Sequence, residues 1–273
     1  MTEGPKQGRA SDGTRQMAPV RSGRPGAPGT VEAFATQVLS LVAANSQATR
    51  GALRQDLLTD LIEAVLGPDQ TAVAAMPAHF AAAGIDAACV LDRYLPAAAR
   101  RLGVAWCEDE MSFADVTIGS ARLQALLRDL RAPQVTDPRA LSVLVVSPED
   151  AYHTLGAGVV ADQLRRLGVA PRLAIGLPNS AVADLAEAHD FNAVMVSAAA
   201  SQRLETLREL VNCIRTALST RAPIIIGGSV TDKDTDIRTL TGADYVSNNP
   251  EEALRSCGLM IPTPAAAPLG PKV

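Results

Sequence analysis

Downstream of Leu141 the chain follows one repeated period, which leaves few folds open to it. Short runs of branched aliphatic residues at 141–147, 171–176, 193–197, 223–228 and 243–247 alternate with amphipathic helical stretches. Strands separated by helices do not pair as hairpins; each crosses back to lie parallel to an earlier one. The five runs therefore predict an α/β fold with a parallel, doubly wound sheet. Right-handed crossovers bring every carboxyl end to one edge, where open sheets of this kind bind ligands. His153, Ser197, Gly227, Gly228, Ser229 and Ser247 all fall on that edge.

Upstream, the pattern changes from strand to helix. Leu53, Leu57, Leu61 and Val65 recur at four-residue spacing and form one apolar helical face. A second helix is expected from Ser112 to Leu130, its face made by Phe113, Val116, Ser120, Leu123, Leu127 and Leu130. Ser112 and Asp115 resemble a capping box at its start. Two prolines within 133–138 forbid a continuing helix and mark a linker. The expected organisation is a tail at 1–30, a helical domain at 31–132, the sheet domain at 139–260 and a second tail at 261–273. Residues 1–30 hold six Gly and four Pro, too little apolar surface to offset the entropy of ordering, so both tails are expected to be disordered.

Charge restricts the partners. The chain carries -4, and because residues 1–30 hold five Lys or Arg against two Asp or Glu, the remainder carries -7. An acidic body is a poor ligand for a phosphate backbone, so the folded part is not expected to bind nucleic acid. No stretch reaches the roughly 20 apolar residues that cross a bilayer, and a cytoplasmic location is expected. Cys89, Cys107, Cys213 and Cys257 show no paired C-x-x-C spacing, against a zinc ribbon or a disulfide framework. A nucleophile elbow, a Walker loop, a carboxylate metal pair and a dinucleotide G-x-G-x-x-G are all missing, so no independent catalytic centre is expected.

Of three histidines, His79 and His189 lie in helical surroundings and are expected at the surface or in the core, whereas His153 follows a buried strand at the ligand edge. On the residues alone, His153 is either an exposed loop histidine or a metal or acid–base group. Gly227 and Gly228 alone read as a tight strand-to-helix turn. Trp106, the only tryptophan, is either a core plug or part of a binding face.

Taken together, His153-x-x-Gly156, Ser197 and the Gly227, Gly228 pair resemble the D-x-H-x-x-G, S-x-L and G-G elements of the cobalamin-binding domain. That domain occurs in methionine synthase, in corrinoid methyltransferases and mutases and in cobalamin photoreceptors. The resemblance covers residues 31–260 and implies a helical cap followed by a five-stranded, flavodoxin-like domain. It also implies that His153 is the lower axial ligand of cobalt, an imidazole suited to such a metal. Ser197 would hydrogen-bond the displaced base, and Gly227 and Gly228 would let the nucleotide tail approach the backbone. Two positions depart from the pattern. Ala151 replaces the acid that would orient the imidazole, leaving Asp150, Glu149, a backbone carbonyl or water for that task; Ala199 stands where S-x-L has Leu. Trp106 corresponds to a tryptophan that covers the upper corrin face. The implied cofactor-contacting set is Trp106, Asp150, His153, Thr154, Gly156, Ser197, Gly227 and Gly228, with His153 on the metal.

Within that domain family, the run from Trp106 to Asp109, the segment 113–117, Arg122 with Gln124, and the run from His153 to Gly156 are similar to the AerR/PpaA photosynthesis antirepressors of purple bacteria. This likeness implies a light- or redox-responsive regulator without enzymatic activity that acts by contact with a transcriptional repressor. In agreement, residues 1–68 contain no winged-helix reader with a basic recognition helix. Cap residues 113–117 hold no Glu–His pair, so no upper histidine ligand is expected. Two alternatives share the architecture: a corrinoid methyl carrier of a methyltransferase system, and a haem-binding sensor.

Overall fold

The computed structural model describes residues 52–135, 137–149 and 154–260. The two expected tails and residues 31–51 lie outside the described residues, as do Asp150, Ala151, Tyr152 and His153. The chain from Leu53 onward packs as one unit. Its helical part comprises α1 (Gln55–Leu66), α2 (Gln70–Ala82), α3 (Ala87–Cys89), a π turn (Val90–Tyr94), α4 (Leu95–Cys107) and α5 (Phe113–Leu130). The sheet part follows with β1 (Ser142–Ser147), α6 (Leu155–Arg166), β2 (Ala170–Ile175), α7 (Asn179–Ala188), β3 (Ala193–Ser197), α8 (Leu204–Ala217), β4 (Ile224–Gly227), α9 (Ile237–Thr241), β5 (Tyr245–Val246) and α10 (Pro250–Ser256). None of the described helices is long and apolar enough to cross a membrane.

The five strands are all parallel, in the order β2-β1-β3-β4-β5. Alternate side chains explain how helices come to lie on both faces. Leu144, Val146, Val194, Val196, Ile224 and Ile226 join one core with Val182, Ala186, Leu207 and Leu210 of α7 and α8. Val143, Val145, Met195 and Ile225 point the other way and join Ala157 and Leu164 of α6 and Leu254 of α10. A strand buried on both faces has no polar alternation, hence the unbroken Val143 to Val146 run, fully buried in β1. Pro171 lies inside β2, opposite Val143. It is tolerated because β2 is an edge strand, where a missing N–H need not break a ladder bond. The last strand is shorter than its sequence run, only Tyr245 and Val246.

The helical part has a separate core of Leu57, Leu61, Val65, Phe80, Tyr94, Leu102 and Leu123. Phe80 and Tyr94 meet within it at a tilt of 59°, with ring centroids 4.8 Å apart. Helix α5 keeps Leu123 in the core with Leu127 and Leu130 packed against it, but its start departs from the expected face: Phe113 is 72% exposed, and Gly119 and Leu126 are buried instead. The reason is Gly119, where a Cβ would sit 2.9 Å from Leu102 Cδ1, so α4 and α5 touch along the glycine rather than along the Phe113 side. Ser112 accepts the Asp115 backbone N–H at 3.2 Å, as a cap should. The Asp115 carboxylate accepts the Ser112 hydroxyl instead of the Ser112 backbone N–H, so the box is only half formed. Arg122 donates to the Val65 and Gly67 carbonyls at 2.8 and 2.5 Å, satisfying the open end of α1.

The helical and sheet parts are joined by a charged cluster. Asp162 on α6 is fully buried, accepts the Ala132 N–H at 2.6 Å and takes Arg166 Nε at 2.8 Å. Arg166 also reaches Asp92 of the π turn at 2.5 Å, and Gln163 donates to the same carboxylate oxygen at 3.1 Å. Burial works against the Arg166 charge, but the bond to Asp92 and the charges of Asp92 and Asp162 outweigh it and hold its pKa above the ordinary value. Next to it Arg165 has the opposite balance, lowered by burial and then by Arg131. Because Asp162 closes three segments at once, Asp162→Ala strands both a buried N–H and a guanidinium. It should cost about 3 kcal/mol of stability in urea titration, whereas Asp92→Ala, at a half-exposed pair, should cost about 1 kcal/mol.

Candidate functional site

The carboxyl edge of the sheet is assembled from strand ends. β1 ends at Ser147, β3 at Ser197 and β4 at Gly227, with Ser197 directly opposite Gly227 in the parallel register. Chain connectivity reverses between β1 and β3, since β2 lies on one side of β1 and β3 on the other. A crevice is expected at such a reversal, and the end of β1 and the start of α6 lie beside it.

Four of the expected residues meet here. Gly156, in the first turn of α6, is so close to β3 that a Cβ would lie 2.8 Å from Ser197 Oγ. At Gly227 a Cβ would approach the Ser247 carbonyl oxygen to 2.5 Å, and at Gly228 it would clash with the Ala198 carbonyl oxygen. Gly228 also has φ +96°, a conformation that glycine adopts without strain. The glycine pair is therefore demanded first by the protein's own strand ends, the tight turn that the residues alone suggested. Around it, Gly228 N–H donates to Asn248 Oδ1 at 2.6 Å, and Asn248 Nδ2 donates to Thr231 Oγ1 at 2.7 Å. Ala200 N–H donates to Ser229 Oγ at 3.0 Å.

Thr154 immediately precedes α6 and makes no capping bond with its side chain. Its hydroxyl accepts instead from Gln124 of α5 at 3.1 Å, so the first described residue after His153 is tied to the helical part. Leu127 of α5 rests on Gly158, where a Cβ would stand 3.0 Å from Leu127 Cδ2. Leu155 is packed against the helical core. Helix α5 thus bears on the first turn of α6 through a hydrogen bond and two apolar contacts.

Trp106 ends α4 and is 45% exposed, its ring 6.4 Å from that of Phe113. That exposure excludes the core-plug reading. His79 and His189 are exposed, at 2.8 Å from Asp60 Oδ2 and 2.6 Å from Arg172 Nη1 respectively. Asp150 and His153 lie outside the described residues.

Two site features were missed in the sequence. Ser147 is fully buried, and its hydroxyl has no hydrogen-bond partner among the described residues. An orphaned buried hydroxyl at a ligand edge is a feature a bound polar group can satisfy. Its position at the end of β1 was the available signal. Gln124 was visible only as part of a family-like run; the bond to Thr154 depends on how α5 lies against α6, which no local pattern encodes.

The test of whether a cobalamin suits these residues rests on this orphaned hydroxyl and the glycine contacts. Ser147 and Ser197 offer hydroxyls for a polar tail, and Gly156 keeps the space beside Ser197 Oγ free of a side chain. The residues present fit the group. Gly228→Ala is expected to destabilise the protein without any added ligand, by about 2 kcal/mol or more, because both φ and backbone contact oppose a Cβ. Gly156→Ala meets only a rotatable hydroxyl and should cost about 1 kcal/mol or less. Thermal melts of the ligand-free variants measure both.

The B12 binding domain model matches residues 141–257 of this chain. A relative is the "Uncharacterized 20.5 kDa protein in bchF-crtJ intergenic region" of Rhodobacter capsulatus. It is 34% identical over 175 residues, 63% of this chain and 91% of the relative. Among solved structures, the monomethylamine corrinoid protein of Methanosarcina barkeri superposes with a TM-score of 0.57 at 17% identity, over 74% of this chain and 97% of that one. That likeness shows the shared fold.

Proposed function

We propose, from the premise that this chain belongs to the family of the Rhodobacter capsulatus bchF-crtJ intergenic protein and carries a B12-binding domain, that it is a regulatory sensor acting on a transcriptional repressor through protein contact. Cobalamin is the cofactor of the domain. When bound it would supply a light- or redox-sensitive metal centre. In the proposal His153 would hold the metal, Asp150 would orient the imidazole, Ser197 and Ser147 would hold the polar tail, and Trp106 would cover the corrin.

One observation carries the sensor reading: the bond from Gln124 to Thr154 next to His153. A displacement of the His153 loop moves Thr154, and through Gln124 and Leu127 it bears on α5. The Arg166 link to Asp92 ties the other end of α6 to the π turn. Helix α6 is held to the helical part at both ends, so the ligand state biases how the two parts pack. That is the two-state element a regulatory output needs. Phe113, 72% exposed on the same helical part, is apolar surface that a repressor would read in the proposal.

Visible spectra of the purified protein mixed with hydroxocobalamin, in the dark and after illumination, test the ligation. Wild type should shift relative to free cofactor, and His153→Ala should return the unshifted spectrum; identical spectra for the two would remove His153 from the metal. Trp106→Ala should weaken binding by about ten-fold, an effect of about 1.4 kcal/mol. Gln124→Ala tests the output: cofactor binding should persist while cofactor-dependent repressor contact is lost. Turnover with a methyl donor and a methyltransferase would instead favour the carrier reading, and a haem spectrum without a cobalamin one would favour the haem sensor.

A further inference from the structure

At the opposite edge of the sheet, away from Gly227 and Ser247, lies a solvent-open hollow of about 590 Å³. It lies where β4 and β5 begin, with Pro223 and Tyr245 forming an apolar wall and Arg215, Arg221 and Arg238 converging on it. The volume is in the range of a small-molecule site. The arginines come from three different segments: the last turn of α8, the coil before β4, and α9.

Their bonding separates them into two roles. Arg215 is structural: Nη2 donates to the Gly242 carbonyl and to Asp244 Oδ2, both at 3.0 Å. Asp244 in turn accepts the Ile224 N–H at 2.8 Å on the same oxygen, Oδ2, so one carboxylate oxygen holds both Arg215 and the first amide of β4. Arg221 and Arg238 make neither a salt bridge nor a side-chain hydrogen bond among the described residues. Asp244 is engaged through one oxygen by Arg215, and Arg238 lies within electrostatic reach of Asp236, yet neither Arg221 nor Arg238 has a hydrogen-bond acceptor among the described residues, on a protein whose body carries net negative charge. Tyr245 is fixed by donating its hydroxyl to the Ser256 carbonyl at 3.0 Å, so the apolar wall is held in place.

We propose that this hollow binds a small dianion, a phosphate monoester or a dicarboxylate. Arg221 and Arg238 take the anionic groups, as planar guanidinium forks do, and the carbon skeleton lies on Pro223 and Tyr245. The site is separate from the cofactor edge and does not depend on the sensor reading.

Calorimetric titration of the full chain, at constant ionic strength with chloride as background, tests it with glycerol phosphate, succinate and inorganic phosphate as probes. One of the carbon-bearing dianions should bind one-to-one and more tightly than inorganic phosphate, and which one does so identifies the anionic group. R221Q and R238Q should each weaken binding about ten-fold and the double variant about 100-fold, one charge-assisted contact being lost in each step. Both side chains are exposed, so the variants should keep the wild-type melting temperature without anion, which a melt verifies. Equal affinity in wild type and double variant, no heat above the chloride background, or binding of acidic polypeptide alone would each overturn the proposal.

Discussion

The arrangement of this protein depends on one fully buried carboxylate. Asp162 accepts an amide from the coil that follows α5 and a guanidinium from its own helix, and that guanidinium goes on to Asp92 in the helical part. Burying a carboxylate is unfavourable unless its acceptor sites are filled, and here both oxygens are. The consequence is geometric. Helix α6, which starts at the His153 loop, takes its azimuth from Asp162 and Asp92 at one end and from Gln124 at the other. A buried pair of this kind contributes more to the choice of one arrangement than to net stability.

The sheet was legible because its physics is local. A β1 run with no polar alternation has to be covered on both faces, and helices between strands make the sheet parallel, so the carboxyl edge and the residues on it followed directly. The face of α5 was legible at Leu123, Leu127 and Leu130 but not at its first turn. Phe113 fits the apolar period as well as Leu123 does, but Gly119 allows close approach of α4, and an absent side chain leaves no mark in a periodicity.

The glycine pair shows where a motif and its function separate. Family likeness assigns Gly227 and Gly228 to a ligand's tail, yet their missing side chains are already required by Ser247 and Ala198 of the protein itself. The two requirements are compatible: a backbone that has to run this close to its neighbours is also bare enough for a ligand to approach. Ser147 is the complementary case, a hydroxyl that the fold buries without bonding. A cofactor would account for it, and secondary structure alone does not.

The π turn at Val90–Tyr94 has an implication for how relatives of this chain can differ. A π turn accommodates one residue more than the α-helix around it, and each residue advances the helical phase by about 100°. Deleting a single residue there would return the turn to regular α-helix and re-aim Asp92, which sits within it, relative to Arg166. A one-residue gap at this point in an alignment would therefore signal a different docking of the two halves, not a neutral length change. Chimeras that exchange the helical half between homologues would have to carry Asp92 and the turn's spacing along with it.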